Sequence, residues 1–357
     1  MRICSTGNYE TGSSAPYDFF KEFDNVEVAF HKDGYEHTLF YMPHGIFDLE
    51  NVLFGDSGYI AIDAAIGDFL NMSRNVYKYN YKFYGGYKKH IGEAFMKMTD
   101  EFINEISIPF NARTIGKISK MYFSPVKACG QIAFALLKQY HIESLGMAYK
   151  EDKNRPGFVL KVNHEQFKEA KRKYIETFLK LCDGNSENTL YDHLLLPMNV
   201  SHLKDFPSDM RMIIVERDPR DLYTMIKDHY MNNAKRGYEK PPFSMASVDD
   251  FIASFISFRG DYLNNIDTDK AIIIKFEDLV LNYEQTTDKL CKLCNLDKKH
   301  QINKYKYFDP RISANNINIF NPEDEDIKKI ESKLKDYLYD FSKIDFDKIE
   351  IIKSEIF

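Results

Sequence analysis

The sequence predicts an α/β fold: a parallel sheet flanked by helices, with a helical insertion. Three observations carry it. Short apolar runs alternate with helical stretches at the start of the chain and again across residues 189–296, the order in which βα units build a parallel sheet. Two of those runs, Met212-Ile-Ile-Val215 and Ala271-Ile-Ile-Ile-Lys-Phe276, are nearly continuously apolar, as strands covered on both faces are. Residues 60–185 read mainly as helix and suit an insertion rather than more sheet. Residues 1–357 are therefore expected to form a single domain.

Taken in order, Met1-Arg-Ile-Cys-Ser-Thr6 reads as a strand and Gly7–Ser14 as a turn. Ala15-Pro-Tyr-Asp-Phe-Phe20 opens a helix with Pro16 in its first turn, where a missing N–H costs nothing. Val26–Phe40 alternates as one or two strands around a turn at Asp33-Gly34. His44-Gly45 begins a turn and a short helix. Apolar spacings of three and four mark helix through most of Ile60–Phe110, interrupted by the tyrosine-rich Tyr77–Tyr87. Lys127–Tyr140 and Gln166–Leu181 read as helices and Phe158–Val162 as a strand. Thr189–Leu196 reads as a buried strand or its continuation. Helices are expected at Leu222–Met231, Val248–Leu263 and Tyr283–Cys294, with a long charged helix at Pro322–Phe341.

A chain of 357 residues with 44% hydrophobic and 29% charged residues has material for a sizeable core. Its net charge of −6 excludes a nucleic-acid coat, so any anion site must be local. No apolar run approaches the roughly 18 residues needed to span a bilayer. The first strand begins at Met1 and leaves no room for a leader. Five scattered cysteines fit a reducing compartment, so a cytoplasmic location is expected. Cys291-Lys-Leu-Cys294 lies in a helical pattern with no second pair, which reads as packing rather than a metal or redox site. No metal is expected.

The chemistry gathers at two places. Gly7-Asn-Tyr-Glu-Thr-Gly12-Ser-Ser14 matches the phosphate-cradling pattern G-x-x-x-x-G-K-[ST] except at one position, where Ser13 stands for the lysine. The second place is Glu216-Arg217-Asp-Pro-Arg220-Asp221, after the Met212–Val215 strand. In an open parallel sheet ligands sit beyond the carboxyl ends of the strands, so Arg217 is placed on the same edge as the loop. Its planar fork suits phosphate or carboxylate. Arg220 is the more plausible structural partner of nearby carboxylates. The aromatic and basic stretch Tyr77–Tyr87 reads either as a sugar- or base-stacking surface or as a buried amphipathic segment.

This set of motifs resembles the sulfotransferases that use 3′-phosphoadenylyl sulfate, which have a P-loop-type α/β fold. The resemblance rests on Thr11-Gly-Ser-Ser14, Arg217-Asp-Pro-Arg220-Asp221, Ile274-Lys-Phe276-Glu-Asp-Leu279 and Tyr307-Phe308-Asp-Pro-Arg311-Ile-Ser313-Ala-Asn315, in that order. It implies that Thr11, Gly12, Ser13, Ser14 and Ala15 hold the donor's 5′ end and that Arg217 holds its 3′-phosphate. Phe276 and Phe308 would border the adenine, Phe276 more plausibly as core. Arg311 would add a cation, and Thr224 would stand in for a serine that is Met225 here. It further implies transfer of a sulfuryl group to a hydroxyl acceptor, with a carbohydrate as the expected class. His193 is the expected base, with Asp192 orienting it or acting itself; His44 is the second candidate and His202 a third.

The resemblance has three departures: Met225 stands where the family has a serine, the family's glycine-rich basic element near the C-terminus is not visible, so that Arg311 would serve instead, and the third lies in the loop. Where the family carries a lysine or arginine two residues before the second loop glycine, this chain has Glu10. A cation must then come from elsewhere, and Lys127, Lys161 and Arg113 are candidates. Two other classes stay open: a nucleoside or small-molecule kinase, which the missing loop lysine opposes, and a non-catalytic nucleotide-binding relative. The oligomeric state is not legible.

Overall fold

A computed structural model describes residues 1–31, 34–80, 84–110, 157–235, 247–260, 262, 266 and 269–353. At its centre is strand β1 (Arg2–Gly7), followed by helix α1 (Ser14–Phe20). Strand β2 (Val26–Val28) is short. Helices Ile46–Phe54, Tyr59–Lys78 and Ala94–Ile106 lead to β3 (Ser107–Phe110) and β4 (Gly157–Leu160). The helix His164–Cys182 precedes β5 (Asn188–Asp192). Then come β6 (Met210–Glu216), the helices Pro219–Lys235 and Val248–Arg259, β7 (Ala271–Lys275), and the helices Phe276–Leu281 and Tyr283–Leu293.

The main sheet has the order β2-β5-β1-β6-β7, and every pairing in it is parallel. Alternation along the strands splits the core in two. Cys4, Met212 and Ile214 face the layer containing Phe40, Phe95 and Phe178. Ile3, Ile213 and Val215 face Phe19, Phe20 and Leu279 on the other side. A strand buried on both faces must be apolar at successive positions, which is why β6 and β7 were legible as runs. Helices of the 60–185 block belong to the first layer, packed on the sheet through Phe95, Phe102 and Phe178.

The structure differs from the sequence expectation in four places. Val26–Phe40 contributes only the three residues of β2; Phe30, with φ of 58°, turns the backbone out of the extended region. Ser107–Phe110, expected as the end of a helix, pairs antiparallel with Gly157–Leu160. The buried strand stops at Asp192 because His193 adopts φ of 48°. The long helix expected over Pro322–Phe341 covers only Glu325–Lys333. Beyond it the chain gives its backbone to the sheet edge: the Tyr339 N–H donates to Asp218, while the Tyr337 and Tyr339 carbonyls accept from Lys275 and Arg220. An α-helix there would tie up those groups internally. The Asp33 turn position, the Lys127–Tyr140 helix and Leu263 lie outside the described residues.

Cys291 and Cys294 are buried in the second core layer. Burial pushes the Cys291 thiol up to about 11 and that of Cys294 higher still. Both therefore behave as small apolar side chains.

Candidate functional site

Because β1 lies between β5 and β6, the loop after β1 is flanked by the residues that follow those strands. Registry fixes the neighbours: Ser5 pairs with Asp192 and Gly7 with Val215. His193 and Arg217 thus emerge on either side of the glycine loop. The three segments open onto one cleft of about 860 Å³, whose lining includes Gly12, Ser13, His193, Arg217, Phe276 and Phe308.

The loop is held open by local geometry. Gly12 has φ of 86°, a conformation that favours glycine, and a Cβ there would lie 2.6 Å from the Phe276 ring. The Ser5 hydroxyl donates to the Ser13 carbonyl at 2.7 Å, and the Thr11 hydroxyl donates to the Asn8 carbonyl. Ala15 N–H is used within the loop, donating to the Gly12 carbonyl. Among the described residues, the N–H groups of Gly12, Ser13 and Ser14 find no acceptor. They remain available to an anion in the cleft.

Arg217 is 2% exposed. Its guanidinium stacks 4.9 Å from the Phe276 ring centre. Nη1 donates to the Glu10 carbonyl at 3.4 Å and to the Met225 sulfur at 3.1 Å, and Nη2 donates to the Asn316 carbonyl. Its Nε has no partner among the described residues. Burial lowers its pKa, while the carboxylates of Asp221, Glu277, Glu10 and Asp218 favour the charged form. An unpaired guanidinium N–H in a nearly closed setting is costly unless a ligand satisfies it.

The carboxylates behind Arg217 are strained electrostatically. Glu277 is fully buried, and its Oε1 accepts from the Asp218 N–H at 2.8 Å. Burial, with the charge of Asp218, pushes its carboxyl up to about 7. A folded-state value above the unfolded one gives stability that is complete at low pH and lost as pH rises through about 7. Glu277→Gln keeps the acceptor without the charge. It is expected to stabilise the protein by about 1–3 kcal/mol at pH 8 and to leave it unchanged near pH 4, as urea unfolding at the two pH values would show.

On the other flank, His193 Nε2 lies 3.3 Å from Ser13 Oγ and Nδ1 lies 2.6 Å from Asp192 Oδ1. Burial alone would lower the imidazole pKa, but the hydrogen bond and charge of Asp192, with the charge of Glu36, raise it. Glu36 lines the same cleft. Its carboxyl is raised, first by burial and then by Asp192, against the opposing effect of His193. The cleft thus has one wall made of the loop and Arg217, which presents N–H donors, and one made of Asp192, His193 and Glu36, which presents titratable side chains.

One solved structure, a sulfotransferase domain, is distantly similar to this chain. That domain, from the curacin biosynthetic pathway, is similar over 95% of this chain and 98% of its own, with 12% identity and a TM-score of 0.39. No family model matches the chain, and no curated protein matches it.

The residues expected from sequence are distributed unevenly. Gly12, Ser13, Ser14, Ala15, Asp192, His193, Arg217 and Phe308 line the cleft. Thr11 is fully buried and braces the loop. Thr224 does not line the cleft; its neighbour Met225 does. Arg311 is held by Asp309 at 2.7 Å and by Glu350 at 3.3 Å and does not line the cleft. His44 is half-exposed beside Asp68 and is also absent from the lining. His202 stacks on Phe47 and pairs with Asp205. Arg220 is bound by Asp218, Glu331 and the Tyr339 carbonyl. Of the candidate cations, Lys161 donates to the Asn104 carbonyl, and Lys127 and Arg113 lie outside the described residues.

Within Tyr77–Tyr87, Tyr87 is buried against Phe95, and Tyr77 is tied to Glu93. Tyr81 and Phe83 lie outside the described residues. No described member of the stretch lines the cleft; Tyr9, Tyr41 and Tyr307 do. Sequence reading missed Glu36, Tyr41 and Asn316. Glu36 carried no local signal, because it reaches the site through a single parallel bridge to Asp192.

Proposed function

We propose that the chain is a sulfotransferase that takes its sulfuryl group from 3′-phosphoadenylyl sulfate and passes it to a hydroxyl acceptor. The observation that carries this reading is the pairing of two candidate anion-receiving elements in one cleft: three loop N–H groups and an arginine Nε that have no partner among the described residues. A donor with phosphate at both its 5′ and 3′ ends requires two such elements on one sheet edge. Gly12, Ser13 and Ser14 would receive the 5′ end, and Arg217 the 3′-phosphate. Phe276 and Phe308 would border the base between them. Sulfuryl transfer needs the donor aligned, developing charge stabilised and the acceptor's proton removed. The last two tasks fall to the group formed by Asp192, His193 and Glu36. Donor and acceptor would meet beside Ser13.

A glycan acceptor is the class we favour, and its support is now the aromatic lining of the cleft by Tyr9, Tyr41 and Tyr307 rather than the Tyr77–Tyr87 stretch. Sugar rings stack on such faces. Cytoplasmic residence belongs to the same proposal; no helix among the described residues is long and apolar enough to cross a membrane.

The test is product formation. Incubation with 3′-phosphoadenylyl sulfate and a panel of hydroxyl acceptors is expected to release adenosine 3′,5′-bisphosphate in step with a sulfated product. Magnesium-dependent turnover of ATP to ADP without that release would replace this reading with the kinase one. Donor binding without transfer to any acceptor would favour a non-catalytic relative.

A further inference from the structure

The wall made of the loop and Arg217 is short of positive charge. A phosphate loop of this spacing normally carries a lysine that reaches the phosphates, and here Ser13 occupies that position. The cleft lining contains Glu10, Asp18, Glu36, Asp192 and Asp309, with Arg217 as its one lining residue of permanent positive charge among those described. Arg217 stands on the β6 side of the loop. On the β5 side His193 meets the loop, its Nε2 3.3 Å from Ser13 Oγ.

His193 is built into the loop rather than merely close to it. Its backbone N–H donates to the Ser5 carbonyl at 3.0 Å, and the Ser5 hydroxyl holds the Ser13 carbonyl. The residue adopts φ of 48°, an uncommon conformation for a non-glycine residue. The result is an Nε2 that meets the hydroxyl of Ser13, at the position the lysine vacates. Nδ1–H is fixed on Asp192.

We infer that His193 works as an imidazolium that supplies the loop's missing positive charge, and that the acceptor's proton goes to Glu36. This rests on the donor-binding reading above. In the transfer step the acceptor oxygen bonds to sulfur as the bond from sulfur to the 5′-phosphate oxygen breaks. The electron pair stays on that oxygen, to which the imidazolium Nε2–H donates. The acceptor's proton passes to the Glu36 carboxylate, which faces the cleft with no hydrogen-bond partner among the described residues.

The charged surroundings agree with this division. Asp192 on β5 and Glu36 on the neighbouring segment both favour the protonated imidazole. Tyr41, which lines the same cleft, has its hydroxyl pushed far up by burial and by Glu36 and stays neutral. Glu10 and Asp18 on the loop and α1 add negative charge, and Arg217 faces from the far side of the loop. A histidine acting as base would gain function as pH rises through its pKa; one acting as cation loses it.

Calorimetric titration separates the two. The probes are adenosine 3′,5′-bisphosphate and adenosine 3′-phosphate, at about pH 7 and about pH 9.5, where a phosphate with a second pKa of about 6 holds constant charge. Wild-type affinity for the bisphosphate is expected to fall about tenfold over this range, the size of one charge-assisted hydrogen bond. Affinity for the 3′-phosphate should not move. His193→Gln should bind the bisphosphate about tenfold more weakly at pH 7 and without pH dependence, whereas His193→Lys should hold its affinity at both pH values. Glu36→Gln should bind the bisphosphate but lose turnover.

A flat wild-type profile for the bisphosphate would overturn the charge assignment and leave the donor reading intact. It needs no variant to fold. Retained turnover in Glu36→Gln would overturn the proton assignment. Absence of bisphosphate binding at either pH would remove the donor reading and this inference with it.

Discussion

Replacing Arg217 with glutamine is expected to weaken adenosine 3′,5′-bisphosphate binding by about a hundredfold, as loss of charge-assisted bonds to one phosphate does. Binding of 5′-AMP should change far less, because its phosphate meets the loop on the other side. The argument is geometric. Arg217 follows β6 directly, is nearly sealed, and has no partner for its Nε among the described residues, while Nη1 and Nη2 are anchored. The anchoring fixes the fork, so little freedom is lost when an anion arrives. Arg217→Lys should fall between the two, keeping charge and losing the fork. An equal loss for both ligands, measured by calorimetry on folded variants, would take Arg217 away from the 3′-phosphate.

The largest stability effect is expected at residues that do not line the cleft. Lys171 is 1% exposed and bridges Glu50 and Asp205, the latter at 2.6 Å. Burial pushes both carboxyls up, but Lys171 and then His164 at Glu50, and His202 and then Lys171 at Asp205, bring the net values below normal. Removing one partner of a buried pair leaves charge without compensation, at a cost of about 3–5 kcal/mol. Lys171→Met should therefore lower the unfolding free energy by about that amount. Lys173→Met, at an exposed bridge to Glu105, should cost less than about 1 kcal/mol. Urea unfolding of the two variants makes the comparison. The depressed carboxyls also set the sign of the pH effect. Their contribution is present above the unfolded pKa values and is lost as pH falls through the lower folded ones. Similar costs for the two lysines would contradict the account.

How much of this was legible depended on how local the signal was. β6 and β7 announced themselves as apolar runs because both their faces are covered. The loop was legible because glycine spacing and a strand on one side with a helix on the other are neighbours in sequence. Arg217 followed from a strand end, a rule about sheet edges rather than about any contact. The long C-terminal helix failed because charge-laced spacing does not report that the backbone beyond Lys333 is claimed by Asp218, Arg220 and Lys275. Glu36 failed for the same reason in another form: it enters the cleft through pairing with Asp192, a contact between distant segments. The Tyr77–Tyr87 stretch was ambiguous in sequence because an aromatic that stacks on a ligand and one that stacks on Phe95 share a composition.

The anomaly at Glu10 also takes a different form in three dimensions. Its backbone has φ of 60°, and its carbonyl accepts from Arg217. The residue thus touches Arg217 through its main chain as well as lending it a nearby carboxylate. The charge that the motif resemblance leads one to seek at that position is sought instead at His193, on the other side of the loop.

The most direct measurement is calorimetric titration of the wild-type chain with adenosine 3′,5′-bisphosphate at neutral pH. The account predicts one site per chain, with affinity lost in Arg217→Gln. No heat of binding up to millimolar ligand would contradict it.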